Sequence, residues 1–383
     1  MQGHSHNVEQ IVDTSGKQFL IHVSDTVLDD LRSRLHHRRR AVTSGSSWSL
    51  GTDAGFLERF LDYWQSQYDW RAGEAILNRA EHRFVDLGDV TIHAMFYRSD
   101  VRSALPLVLT HGWPSSPFEF MKVVENLTHP DEGEFAFDVI VPSLPGFGLS
   151  TIPDTNIPVV PPMIANWWCK MMDHLGYHQF VAAGGDIGSH VTNALGANHA
   201  ERVIGIFTHH PNLHPVLGDV LSPEVSKYLE RRRNAPIRYD FTYGPVQEHQ
   251  ADSLSPGLSD SPYGLAAWIL DKYHAWVDHS DDLTSIIDLE TLAHIVTWYW
   301  VTNSIGSSFR PYIDDSRQSP LGLVAVPAGI SLTPEDADMP REFAELTYRD
   351  IRQWRGAEQG GHFLPLENPA RFVKDVRDFF SHL

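Results

Sequence analysis

The residues best placed to do chemistry lie in "VAAGGDIGSHVTNALG", residues 181–196, where Asp186 stands among Gly184, Gly185 and Gly188. The apolar run before it and the helical pattern after it put the acid at a strand-to-helix turn. A sharp turn of that kind needs small neighbours, because larger side chains would crowd the backbone that lifts the central residue above a sheet. Serine is the usual occupant, so the pattern reads as a nucleophile position filled by a carboxylate. A helix N-cap would account for Asp186 but not for the glycines. "LTHGWPSS", residues 109–116, directly follows another apolar run. A turn there aims the backbone N–H of Trp113 into the same crevice, and the N–H of Ile187 joins it as an oxyanion hole that depends on neither side chain. The plainer reading of His-Gly-Trp-Pro is a tight turn plugged by an aromatic ring. "EQGGHFLPLENP" sets His362, alone among 22 histidines, in a glycine-rich loop between the last strand pattern and the final helix. The preceding strand pattern, "LVAVPAGISLTPEDADMP", ends in three acids, Glu335, Asp336 and Asp338. A nucleophile, an acid and a histidine thus follow one another along the chain.

The elements that must position these residues alternate. Residues 19–80 read as a helical, aromatic N-terminal extension, with Ser24 and Asp25 as caps of "VLDDLRSRL" and with Phe56, Phe60, Tyr63 and Trp64 at helical spacing. From residue 82 the period changes to two and a turn at Gly88-Asp89 predicts a hairpin. Short apolar runs then alternate with helical faces such as Ile164, Trp167, Trp168, Met171 and Leu175, which predicts an α/β fold with a mostly parallel sheet covered on both faces. Between about 211 and 310 the alternation stops and the chain turns helical and aromatic, a candidate lid over the carboxyl ends of the strands. The expected organisation is an extension over 1–80, a core over 81–210, a lid over 211–310 and the rest of the core over 311–383.

The composition is that of a globular protein, 42% hydrophobic and 21% charged over 383 residues. A net charge of −19 disfavours nucleic acid and anionic membranes as partners. The one basic cluster, "RSRLHHRRR" at 32–40, reads as a solvated or internally paired helix face. A single cysteine, Cys169, excludes an intramolecular disulfide framework and reads as a buried thiol. Neither a signal peptide nor a membrane span is expected, which makes the cytoplasm the expected compartment. Phosphate-binding glycine loops are missing, so no nucleotide cofactor is expected. "THHPNLHP", with His209, His210 and His214, lacks the carboxylate or cysteine pattern that would complete a metal site, and no metal is expected.

Together these stretches resemble the epoxide hydrolases of the α/β-hydrolase superfamily, in particular the microsomal and fungal type with an N-terminal helical extension. "GFLERFLDYWQSQYDWRAGEAILNRAEHRF" is similar to that extension, and "HGWPSSPFEF", "GGDIGSHV", "SDSPYGLAAWI" and "GGHFLPLENP" are similar to the core motifs, in order. The resemblance covers nearly the whole chain and implies an α/β-hydrolase fold with a helical lid, and conversion of an epoxide to a vicinal diol. It makes Asp186 the nucleophile, His362 the general base, and Asp336, two residues after Pro334, the charge-relay acid. It implies two lid tyrosines that hydrogen-bond the epoxide oxygen, Tyr312 in "SSFRPYIDD" and Tyr243 in "DFTYGPVQ", with Tyr239 close by as the alternative to Tyr243. An aspartate suits this chemistry because a carboxylate leaves an ester that water can cleave, whereas serine would leave an ether. Trp113 and Ile187 would then stabilise the oxyanion of ester hydrolysis. No metal or organic cofactor is implied. The partners are a small-molecule epoxide and water, and the N-terminal extension offers a face for a homodimer. Two alternatives stand beside this reading. Haloalkane and haloacid dehalogenases share the aspartate, histidine and acid but need halide-binding Trp or Asn donors, and a non-catalytic ligand-binding protein on the same fold would have no use for the full set. Trp268, Trp276, Trp298 and Trp300 point to an apolar or aryl-bearing epoxide, in detoxification or natural-product biosynthesis, although such rings equally pack lids on sheets.

Overall fold

The computed structural model describes residues 11–13, 19–44, 47–211, 213–218, 221–234, 242–278, 282–318, 320–356 and 358–383. Its framework is an eight-stranded sheet formed by β3 (Glu81–Asp86), β4 (Thr91–Tyr97), β5 (Leu105–Thr110), β6 (Phe137–Pro142), β7 (Phe180–Gly184), β8 (Val203–His209), β9 (Val324–Ser331) and β10 (Tyr348–Arg355). A separate pair, β1 (Val12–Asp13) and β2 (Leu20–Ile21), is antiparallel. The large sheet runs in the order β10-β9-β8-β7-β5-β6-β4-β3. Only the β6–β4 and β4–β3 pairs are antiparallel, the latter being the expected hairpin. Strand patterning follows position. The central strands β6 and β7 are buried at every residue, as strands covered on both faces must be, whereas the edge strands β3 and β10 mix buried and exposed positions.

Helices cover both faces, α4 (Val124–Thr128) beside β6 among them, and a short α13 (Arg341–Ala344) lies between β9 and β10 in the chain. In α5 (Pro161–His174) the predicted stripe of Ile164, Trp167, Trp168 and Met171 is buried, and Trp168 Nε1 donates to Thr110 Oγ1 at 3.0 Å, fixing the helix to the end of β5. Cys169 lies buried in the same helix. α6 (Ile187–Asn198) packs against β5, β7, β8 and β9. Helices also occupy the interval between β8 and β9: α7 (Pro223–Asn234), α8 (Tyr243–His249), α9 (Ala251–Asp260), α10 (Pro262–Trp276), α11 (Leu289–Thr302) and the short α12 (Arg310–Ile313). Pro262 at the start of α10 and Ser261, whose side chain accepts from the Gly264 N–H, set that helix off sharply from α9.

The N-terminal helices α1 (Asp25–His36), α2 (Ala54–Ser66) and α3 (Trp70–Leu77) pack against α10 and α11 rather than against the sheet centre. Trp64 Nε1 donates to Thr297 Oγ1 at 2.8 Å, Tyr68 Oη lies 2.8 Å from His294 Nδ1, and Trp48 stacks on His274 at 3.8 Å. The basic cluster is internally paired: Arg34 binds Asp30 and Asp260, and Arg38 binds Glu58 and Asp62. One expected cap differs. Ser24 holds the N-cap position of α1 without a side-chain capping bond, and Asp25 instead pairs with Arg71 at 2.5 Å.

Candidate active site

Asp186 links β7 to α6 with φ 52° and ψ −128°, a strained conformation of the kind found at functional turns. The glycines are there because the backbone packs too tightly for a Cβ. On Gly188 a Cβ would fall 1.9 Å from the Thr110 carbonyl oxygen, and on Gly112 one would fall 2.3 Å from Asp186 Oδ1. Although Asp186 stands at the N-cap position, its side chain makes no capping bond. Oδ1 instead accepts from the Trp113 N–H at 2.9 Å, and the Ile187 N–H also bonds the carboxylate. Burial pushes the carboxyl above its usual range, and these two N–H groups act against that rise.

His362 follows β10. Its Nε2 lies 3.6 Å from Asp186 Oδ2, its own N–H donates to the Trp276 carbonyl at 2.9 Å, and its ring packs on Trp276. Burial first, and then the neighbouring His210 and His209, hold the imidazole well below its ordinary value, so it is neutral at pH 7 and able to accept a proton. The loop that carries it is fixed by Glu367 in α14 (Leu364–Glu367). The Glu367 carboxylate accepts from the N–H groups of Asp278 at 2.7 Å, Gly361 at 2.8 Å and Phe363 at 2.9 Å.

Of the three acids after β9, Asp338 is exposed and pairs with Arg231, Glu335 is half-buried, and Asp336 is buried at 4% exposure. A charge-relay acid accepts a hydrogen bond from its histidine, and among the described residues no such bond from His362 to Asp336 is found. Asp336 Oδ2 lies 3.1 Å from His210 Nδ1 and accepts from Thr333 Oγ1 at 2.9 Å and the Thr333 N–H at 3.3 Å. Burial works to raise the Asp336 carboxyl, but His210 and Thr333 together hold it below its usual value. His210 was legible in the sequence only as part of a histidine-rich stretch. The other two histidines of that stretch diverge: His209 faces Glu119 at 3.6 Å and His214 stacks on His190.

Tyr243 at the start of α8 and Tyr312 in α12 come together, their hydroxyls 3.5 Å apart. Tyr243 stacks on Trp113 at 5.0 Å, and Tyr312 meets the same indole edge-on at 6.0 Å. Burial, then Tyr243 and Asp186, raise the Tyr312 phenol well above its ordinary value and keep it a proton donor. Tyr239 lies outside the described residues. Among the four tryptophans expected in or near the lid, Trp276 packs on Trp113, Tyr243 and His362, whereas Trp298 packs on Trp70 and Phe118, and Trp300 lies under Arg34. Asp186, His362 and the two phenols are thus gathered around Trp113 and Trp276, with the His210–Asp336 pair beside His362. Among the described residues no helix is long and apolar enough to cross a membrane.

Comparison with known proteins gives the family and the fold. Residues 16–120 match the family model described as "Epoxide hydrolase N terminus", and residues 105–243 match the α/β hydrolase fold. A relative from Stigmatella aurantiaca (strain DW4/3-1), provisionally named an epoxide hydrolase, is 35% identical over 374 residues, covering 95% of this chain and 84% of that one. The juvenile hormone epoxide hydrolase of Bombyx mori is 30% identical over 414 residues, covering 96% of this chain and 87% of the relative. The structure of the Aspergillus niger epoxide hydrolase superposes with a TM-score of 0.83 at 26% identity, covering 97% of each chain. A carboxylate at the turn after β7, an N-terminal extension of the matching type and relatives aligned over nearly the whole length converge on one conclusion: the chain belongs to the epoxide hydrolases, enzymes of the α/β-hydrolase fold.

Proposed function

We propose that the enzyme opens its epoxide through a covalent ester on Asp186. Asp186 Oδ1 is held by the Trp113 N–H, which leaves Oδ2 to attack a ring carbon. As the new C–O bond forms, the epoxide C–O bond breaks and the departing oxygen takes a proton from the Tyr243 and Tyr312 pair. An epoxide oxygen is a poor leaving group without such a donor. Water then loses a proton to His362 Nε2 and attacks the ester carbonyl carbon. The Trp113 and Ile187 N–H groups stabilise the negative charge on Oδ1 until the acyl C–O bond breaks; the departing diol oxygen takes the remaining proton of the attacking water, and the proton on His362 returns through solvent to the tyrosinate. Asp336 belongs to the second step as the acid that supports protonated His362. Every step uses a group of this chain, and none calls for a metal or organic cofactor.

The observation that carries this reading is the division of labour at one carboxylate, with Oδ1 on a backbone donor at 2.9 Å and Oδ2 3.6 Å from the imidazole. Single turnover of styrene oxide in heavy-oxygen water tests it. The first diol should carry an unlabelled oxygen taken from Asp186, with the label left on the protein. Label in the first diol would sink the ester mechanism. The rings of Trp113, Trp276 and Tyr243 around the site support apolar or aryl-bearing epoxides as substrates. A cytoplasmic location is in keeping with a single, buried cysteine that forms no disulfide within the chain. A homodimer through the N-terminal region is supported by its exposed Phe19, Leu20, Val42 and Leu50, and sedimentation measures it directly.

A further inference from the structure

Five neighbouring parallel strands, in the spatial order β5, β7, β8, β9 and β10, end in the site. Trp113 follows the first, Asp186 the second, His210 the third, Asp336 the fourth and His362 the last. The reaction just derived uses all of these except His210. Because β8 lies between β7 and β9, the residue that follows it must stand between nucleophile and acid. Its backbone is turned to suit: His210 has φ 46°, and its N–H donates to the Ser331 carbonyl at 3.2 Å, holding the end of β8 against β9. Its ring centre is 4.7 Å from that of His362. Among the described residues, every hydrogen bond of the Asp336 carboxylate falls on Oδ2, namely those of His210 Nδ1, Thr333 Oγ1 and the Thr333 N–H.

We propose that His210 is a positioning residue of the ester-hydrolysis step, gripping Asp336 by Oδ2 beside His362 and leaving Oδ1 to accept the base's second N–H as the base takes its proton from water. The proposal rests on the reading of Asp186 as the ester-forming residue and of His362 as the base. The charges around His210 fit the role. Asp336 on β9's end, with adjacent Glu335, and Asp186 on β7's end favour its imidazolium, while His362 and His190 of α6 oppose it. Burial acts to lower its pKa, yet the acids prevail and push it up to about 9. Below that pH His210 is a cation. It then binds Asp336 by a charge-assisted bond and repels a premature proton from His362, keeping the base in the neutral form it needs. As pH rises through about 9 the cation is lost and both effects fade.

The test separates the two half-reactions. His210→Gly removes the ring and accepts the left-handed backbone, and His210→Asn accepts the same backbone while restoring an uncharged N–H donor. Quenched-flow single turnovers with styrene oxide, with ester read from the mass of the intact protein, give each rate. Ester formation by His210→Gly should stay within about twofold of wild type while ester hydrolysis slows by about tenfold to a hundredfold. Ester then accumulates, and kcat and KM fall together with kcat/KM nearly unchanged. The decline of the wild-type hydrolysis rate near pH 9 should vanish in both variants, and His210→Asn should recover part of the rate. Unchanged hydrolysis with the alkaline decline intact overturns the proposal. So does an equal loss of ester formation and hydrolysis in both variants together with a lower melting temperature, which would make His210 merely structural. A wild type that never forms an ester would instead fell the reading of Asp186, and this inference with it.

Discussion

At Asp186 two backbone N–H groups meet a carboxylate that burial pushes toward its neutral form. In the proposed mechanism ester formation needs the ionised form, so its rate should rise with pH through a midpoint above the ordinary aspartate value of about 4 and be lost as pH falls below it. His362 adds no acid limb near neutrality, because its own pKa is held far below its usual value. Stopped-flow measurement of ester formation against pH checks this, and a midpoint at or below 4 would contradict the burial of the carboxylate. The proposed mechanism assigns the tyrosines to the same step. Tyr312→Phe and Tyr243→Phe should each slow ester formation by about tenfold to a hundredfold and leave ester hydrolysis nearly unchanged, since each removes one donor to the developing alkoxide. A variant that slows only hydrolysis would remove that tyrosine from the opening step. Asp186 and His362 were legible in the sequence because each is embedded in glycines whose purpose is local. Asp336 was narrowed from three acids by family resemblance alone. Its pairing with His210 was not legible, because it depends on which strand lies between two others.

The elements show why local pattern sufficed for some parts and not for others. β6 and β7 read as continuous apolar runs because both their faces are covered, and α5 announced its buried face at helical spacing. The junction between β7 and α6 is tighter than any pattern states. A Cβ on Gly188 would press into the Thr110 carbonyl at the end of β5. Gly188→Ala should therefore push α6 away from β5, cost about 1–3 kcal/mol in thermal unfolding, and slow ester formation by shifting Asp186 off the Trp113 N–H. A variant with wild-type stability and rate would show that the junction has slack. Glu367 fixes the loop before α14 in the same sense, but its acceptance of three N–H groups had no sequence signature. Glu367→Ala strands those donors, and its larger effect should fall on ester hydrolysis, because His362 rides on the loop.

Across the whole molecule, the N-terminal helices and the helices between β8 and β9 form one packed unit above the sheet. Aromatic spacing identified both segments separately, but periodicity carries no information about which face meets which. The contact rests on long-range pairs: Trp64 with Thr297, Tyr68 with His294, Trp48 with His274 and Arg34 with Asp260. α10 carries Trp276 against His362 and also packs on α1 and α2, so a disturbance at the N-terminal contact has a path to His362, the proposed base. Trp64 is buried at 2% exposure, and its truncation removes both a large apolar side chain and the donor to Thr297. Trp64→Ala should cost about 3–5 kcal/mol in stability. Trp64→Phe keeps most of the volume and loses only the hydrogen bond, so it should cost about 1 kcal/mol. If the N-terminal helices hold the tyrosine-bearing helices in place, Trp64→Ala should also slow ester formation more than ester hydrolysis, measured well below its melting temperature. If the two half-reactions keep their wild-type ratio while stability falls, the N-terminal helices serve only to cover the apolar backs of α10 and α11, and the tyrosines are positioned without them.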